Sequence, residues 1–479
     1  MNITLSSTDL FAISPLLILL TGALLLLLLE AFAEKASSKW SAIATLALFS
    51  IAIVAEIAAP QGSSPLLTPW LKFDGLAHFF NLFFLSVGIA STLLAAAFFK
   101  EFNARQGEYY FLLIASVFGA MLIGASADFL TLFLGLETLS IALYVLCGYM
   151  KTWELSHEAA IKYFLMSSIA TGFLLYGVGL VYGAVGSTNF QAILPAYKAL
   201  SNSSMSTLFI IGIGMITIGL AFKAAIVPFH SWAPDVYDGA PMPVTAFMAV
   251  GTKAAAFAAF VRIFFDSLPE FNSQWNQLLA ILAYPTLIYA NIVALRQTYM
   301  RRFFAYSGIS HAGFLLIPLA VGTPPALTAL LFYLVIYALA TFGCFAALSS
   351  LDRRKEGVTL NDLRGFYSRS PWLTALMSLS LLTLAGIPPT AGFFAKFAIF
   401  KVAFEGQFYA LVIVGLLMAI LSAFYYLRII AVMLSEASDT TEQPHRYWPA
   451  AAVATFAFIS IVALSIYPEP LLALFQHLQ

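Results

Sequence analysis

Four lysines and one glutamate sit in stretches that otherwise hold almost only apolar side chains. Glu137 lies in FLTLFLGLETLSIALYVL, Lys223 in GLAFKAAIVPFHSW, Lys253 in VTAFMAVGTKAAAFAAF and Lys396 in AGFFAKFAIF. Lys162, in HEAAIKYFLMSS, lies nearer the start of its apolar run. A lysine at mid-bilayer costs about 2.5–3.5 kcal/mol on insertion scales, so such groups face the bundle interior, pair, or touch water, and each is a functional candidate. Burial disfavours a charged amine and a nearby carboxylate restores it. An amine held between those influences can take up and release a proton. Glu137 and Lys223, at similar depth, are expected to form an ion pair, either as a switch or as a pin between two helices. Lys253 meets no acid in its own helix until Asp266. For Lys162, reaching back to the interface is the competing reading, and Arg428 is expected to do so. His230, after Pro228 and Phe229, and His311, in YSGISHAGF, are candidate relays because imidazole titrates near neutrality. A satisfied core histidine is the alternative for each.

The composition names the solvent that these charges must avoid. Of 479 residues, 61% are hydrophobic and 10% charged, against about 25% charged in soluble domains. A cytosolic enzyme, a disordered chain and a nucleic-acid binder are excluded, the last because 23 basic and 23 acidic residues cancel. Cys147 and Cys344 are far apart, in neither CxxC nor CxxxC spacing. They supply no iron–sulfur or zinc framework and read as small buried apolar residues. With no GxGxxG after a strand and no Walker A lysine, no metal and no cofactor site is expected in this chain.

A membrane helix needs roughly 20 apolar residues. Such runs predict an all-α polytopic membrane protein with about fourteen transmembrane helices: 10–33, 40–59, 75–99, 109–126, 128–150, 158–185, 206–229, 243–266, 276–296, 303–321, 325–351, 371–403, 407–434 and 448–467. The first run is too long for a signal-peptide core and reads as a first span. Residues 468–479 read as a short interfacial tail. Lys35, Lys39, Lys100, Arg105, Lys151, Arg296, Arg301, Arg302, Arg353, Arg354, Lys355, Arg364, Arg369 and Arg446 share one side, while Lys72, Lys198, Arg262 and Lys401 fall on the other. Both termini are therefore predicted outside.

Two spans are interrupted. Pro228 breaks the seventh, after Lys223, and LLTLAGIPPTAGFFAKF breaks the twelfth, before Lys396. Spans four to eight and nine to thirteen make two sets of five, with the broken span fourth in each. An odd number per set inverts the second, and inverted repeats with paired broken helices characterise transporters. The predicted organisation is 1–108 as a three-helix segment, 109–266 as a first repeat, 267–434 as a second, inverted repeat, and 435–479 as a last span and tail.

The stretches FKAAIVPFHSWAPDVYDGAPMPVTAFMAVGTKAAAF, LGLETLSIALYVL, AAIKYFLMSSIATG, RRFFAYSGISHAG and LAGIPPTAGFFAKF, in order between about residues 109 and 434, resemble the antiporter-like membrane subunits of respiratory complex I, the proton-pumping NADH–quinone oxidoreductase. Within the family, GLETLS, KYFL and Lys396 are similar to the subfamily with a lysine at that last position, and the short tail argues against the subfamily with a long lateral helix. The resemblance implies a translocase subunit of a prokaryotic plasma (inner) membrane, embedded in the lipid bilayer, with two half-channels driven by quinone reduction elsewhere. Flavin, iron–sulfur clusters and quinone would belong to partner subunits. The partners would be a neighbouring antiporter-like subunit and small membrane subunits. Glu137 would be the carboxylate partner of Lys223, and Lys223 the switching base of the first half. Lys162 would tune or relay in that half, Lys253 would lead to the centre, His311 would bridge the halves, and Lys396 would be the exit-side base. Gly308 departs from the family pattern, which has serine there, and is expected to remove one hydroxyl from a water chain. A multi-subunit sodium–proton antiporter, a membrane hydrogenase-type complex and a scaffold without ion flow are the alternatives.

Overall fold

The computed structural model describes residues 7–32, 38–60, 62, 66–101, 106–200, 204–269, 272–352, 357–436 and 447–478. The apolar runs fold into α1 (Ser7–Phe32), α2 (Ser38–Ala58), α3 (Gly75–Phe98), α4 (Gly107–Gly124), α5 (Phe129–Cys147), α6 (Glu154–Val185), α7 (Phe190–Lys198), α8 (Ser204–Lys223), α9 (Trp232–Gly239), α10 (Met242–Phe247), α11 (Lys253–Val261), α12 (Asn272–Ala294), α13 (Met300–Val321), α14 (Pro324–Leu348), α15 (Phe366–Arg369), α16 (Pro371–Ala385), α17 (Ala391–Glu405), α18 (Tyr409–Leu434), α19 (Trp448–Ile466) and α20 (Glu469–Gln476). Among the described residues, 13 helices are long and apolar enough to cross a membrane, and Pro371–Ala385 is a shorter apolar one. The chain is an all-α, multi-pass membrane protein.

Local chemistry sets the element boundaries. Asp74 and Asp128 cap α3 and α5 by accepting the N–H groups of Ala77 and Thr131, which satisfies donors with no intrahelical partner. After α8 the chain leaves the helix through Ala225 at φ +57 and Pro228. After α16 it leaves through Gly386 at φ +77 and Pro388–Pro389. The twelfth predicted span is thus two helices of 15 residues each, α16 and α17.

Two π-helical turns, Met248–Thr252 and Arg262–Ser267, flank α11 inside one continuous span, Met242–Ser267. That span and α13 are wholly enclosed over their apolar windows, and α14 nearly so. These three elements form the axis of the molecule. Most of the other spans, α1, α2, α5, α6, α8, α12, α18 and α19, turn large apolar side chains outward, as lipid-facing helices do.

Candidate functional site

The first cluster stands where α8 ends. Lys223 is 4% exposed. Its Nζ donates to Ser140 Oγ at 2.5 Å and Ser167 Oγ at 2.6 Å. The Tyr144 hydroxyl also donates to Ser167, at 2.7 Å. Glu137 lies one turn from Ser140 on α5, as Thr171 lies one turn from Ser167 on α6, and Glu137 Oε1 accepts from Thr171 Oγ1 at 2.7 Å. Two levels of polar groups result, hydroxyls around the amine and the carboxylate one turn away. Glu137 and Lys223 line one cavity of about 10 Å³, near the size that admits a single water. The expected direct ion pair is therefore absent: hydroxyls already serve the amine, and Thr171 serves the carboxylate.

For Lys162 the structure favours the competing reading, a side chain reaching toward the interface. Its side chain is 40% exposed and pairs with Glu158 at 2.6 Å and Asp235 at 2.7 Å. Asp235 also holds Arg302 at 3.0 Å. Burial works against the charge on Asp235, but Lys162 and Arg302 outweigh it and hold the carboxyl below its usual range. This cluster ties α6 to α9 and α13, at the solvated end of α6 rather than at mid-depth.

The central cluster is built on the enclosed axis. Lys253, 1% exposed, donates to the Tyr237 hydroxyl at 2.8 Å. Toward Lys223 the space is filled by aromatic rings: Trp232 stacks on Tyr163 at 4.7 Å and meets Tyr237 edge-on at 6.2 Å. Toward α13 it is open at Gly308. A Cβ there would meet Lys253 Nζ at 3.0 Å and the Tyr337 hydroxyl at 3.2 Å. The glycine thus does more than omit a hydroxyl, because it lets the amine lie against the helix. One turn on, His311 Nδ1 bonds the Tyr333 hydroxyl at 2.7 Å and Nε2 bonds that of Tyr426 at 3.1 Å. Tyr426 in turn shares a hydrogen bond with Ser307 at 2.5 Å.

Lys396 completes the row. It is 5% exposed and donates to the Ala385 carbonyl at 2.7 Å, the frayed end of α16. A Cβ on Gly386 would lie 2.6 Å from Lys396 Cδ, so the break itself makes room for the amine. A second cavity of about 10 Å³ is lined by Lys396, His311, Tyr333, Tyr337 and Thr383. His230, by contrast, lies outside the row. Half-buried in the break after α8, its ring meets Tyr289 at 4.7 Å, and among the described residues no side chain bonds its Nδ1.

Sequence reading missed three groups. The tyrosines beside the amines and His311 count as apolar in periodicity and carry no charge to mark them. Arg262, taken as a loop or helix-end residue, is fully buried and forks onto Asp74 at 2.7 Å through both terminal nitrogens. It also contacts Asp266, which Lys72 reaches at 2.6 Å. Burial opposes ionisation of Asp74, and Arg262 overrides it, so the carboxyl stays well below its usual range. His78, taken as interfacial, binds the buried Glu56 at 2.8 Å, and Asn81 donates to both oxygens of that carboxylate. Only the acid and base types were visible in sequence. Arg428 behaves as expected, donating to the Leu295 carbonyl at a helix end at 3.0 Å.

Comparison with known proteins gives the family and the fold. Residues 126–422 match the family described as NADH:quinone oxidoreductase/Mrp antiporter, TM. Over 479 residues, all of both chains, the sequence is 59% identical to NADH-quinone oxidoreductase subunit N of Protochlamydia amoebophila (strain UWE25). A chain of respiratory complex I from Thermus thermophilus superposes with a TM-score of 0.81 at 32% identity, covering 96% of this chain and 98% of that one. A chain of the Mrp complex from Dietzia sp. DQ12-45-1b reaches a TM-score of 0.81 at 21% identity, covering 98% and 97%, which shows the shared fold alone. The enclosed lysine–histidine row, the family match and the full-length identity together place this chain in the NADH:quinone oxidoreductase/Mrp antiporter family, among its subunit N members.

Proposed function

We propose that this chain is the proton-translocating membrane subunit N of an NADH–quinone oxidoreductase, set in a prokaryotic inner membrane with both termini outside. The observation that carries the reading is that Lys223, Lys253 and Lys396 are each at most 5% exposed and are served by hydroxyls or a carbonyl rather than by carboxylates. A purely structural ammonium would be paired, since an uncompensated buried charge is strongly destabilising. Amines left without a counterion suit a site where charge comes and goes.

The geometry suggests how. Lys223 rests on Ser140 and Ser167 with Glu137 one turn away. Moving the amine toward Glu137 stabilises its charged form, and moving it back to neutral hydroxyls removes that support. Hydroxyl-bearing side chains stand at each station, Tyr144 and Ser167 beside Lys223, Tyr237 at Lys253, Tyr333 and Tyr426 at His311, with the water-sized cavity before Lys396, and on this proposal the proton crosses from Lys223 to Lys253 only when the rings of Tyr163, Trp232 and Tyr237 part. One elementary charge moved against 100 mV requires about 2.3 kcal/mol. On this proposal, quinone reduction in partner subunits, which hold the flavin and iron–sulfur groups, supplies it by shifting charge near Glu137.

The test is the assembled complex in proteoliposomes. NADH-driven proton uptake and quinone reduction falling together in Lys223→Ala, with assembly intact, support the reading. Sodium-dependent exchange without quinone-linked activity would instead favour the antiporter branch of the family.

A further inference from the structure

A further cavity lies away from the amine row. It has a volume of about 410 Å³ and sits between the end of α14 and the starts of α16 and α19. It is thus at the rim of the membrane-spanning bundle, at the level of lipid headgroups. Trp372 and Trp448, both lining it, are 53% and 74% exposed, as aromatic residues at a membrane interface are. Lys100 lies 4.9 Å from the ring centre of Tyr447, which also lines the cavity.

Two helices of 15 and 19 residues begin here, and neither start is capped by a side chain. The backbone N–H groups of Trp372, Leu373 and Ala450, in the first turns of α16 and α19, therefore lack intrahelical acceptors. Both dipoles add positive potential at the same opening. An independent observation marks the same place. Ser370 is 2% exposed and lines the cavity, yet among the described residues its hydroxyl makes no hydrogen bond. It stands at the capping position of α16 without capping it. The opposing end of α14 is quieted locally, because Ser349 and Ser350 donate to the Ala346 and Ala347 carbonyls at 2.6 and 2.7 Å.

We propose that this cavity binds the phosphate of a membrane phospholipid, which the Ser370 hydroxyl and the first-turn amides of α16 and α19 would hold, with the acyl chains running past Trp372 and Trp448. Converging amide donors with a free hydroxyl form an anion site. Its place at the bundle rim selects a lipid-borne phosphate over a dissolved one. The inference is independent of proton movement, because none of these residues belongs to the amine row.

The experiment uses the intact purified complex. Ser370→Asp puts a carboxylate where the phosphate would lie and caps α16 itself, so helix and assembly are expected to persist. Native mass spectrometry is expected to show one fewer retained phospholipid per complex in this variant. Titration of the delipidated complex with phosphatidylglycerol is expected to show about tenfold weaker binding, the size of a lost charge-assisted hydrogen bond. Ser370→Ala, which keeps the fold without adding charge, is expected to weaken binding less. Unchanged lipid count and affinity in both variants would overturn the site. Uptake of inorganic phosphate by wild type without uptake of the lipid would overturn the lipid assignment.

Discussion

At the scale of single residues, Lys223 and Glu137 share a cavity without touching. If that separation is one position of a switch, charge matters more than reach. Glu137→Asp is then expected to retain more proton uptake than Glu137→Gln, with both complexes assembled. Equal loss in proteoliposome assays would argue against a switched pair. Gly308 makes a second case. A methyl group at that position would press on Lys253 Nζ at 3.0 Å. Gly308→Ala is therefore expected to push the amine off the helix and cut proton uptake several-fold. Unaltered uptake would show that Lys253 works from another position. The charges of the row were legible in the sequence because a lysine inside an apolar run has few explanations. Its contacts were not. Lys162 stands near the start of its run, where a side chain can reach solvent and counter-charges, and Glu158 and Asp235, which the run did not reveal as partners, meet it there. The tyrosines were invisible because phenol is apolar in periodicity and polar only in place.

At the scale of elements, the two breaks were legible because proline removes a backbone donor wherever it falls. What the breaks do was not. The first leaves Lys223 as the last residue of α8, and the second turns the α16 carbonyl end toward Lys396. α17 returns so closely over α16 that a Cβ at Gly392 would lie 1.8 Å from the Thr383 carbonyl oxygen, and backbone cannot yield as a side chain can. Gly392→Ala is expected to prevent accumulation of the folded chain, read as loss of the complex from membranes. The π-helical turn Arg262–Ser267 raises a different issue. Arg262 joins the Lys253 span to Asp74 at the start of α3, and removing one partner of a buried pair leaves the other uncompensated. Arg262→Ala is expected to cost toward the lower end of about 3–5 kcal/mol, since Asp74 is partly solvated. A lowered unfolding temperature of the purified complex is the readout, and an unchanged one would mean that water replaces the guanidinium at no cost.

At the scale of the whole molecule, the outward surface carries an ionisable group that hydrocarbon would not tolerate. Leu130, Leu134 and Ile141 of α5 are about half exposed, and their spacing puts Glu137 on the same helical stripe. A half-buried carboxylate in the middle of a lipid-facing stripe is costly, so this face of the chain suits a neighbouring membrane subunit, which would also carry charge changes to the Glu137–Lys223 cavity. A hydrophobic carbodiimide, which modifies carboxyl groups from the apolar phase, tests this directly. Glu137 is expected to react slowly in the intact complex and several-fold faster once the neighbouring membrane subunits are stripped away, with Thr171→Val speeding the reaction further by removing its hydrogen bond. The buried Glu56, enclosed by His78 and Asn81, serves as an internal reference whose rate is expected to stay constant. Equal labelling of Glu137 in both preparations would mean that this face meets lipid in the assembled complex, and the signal to the first cluster would then have to enter from elsewhere.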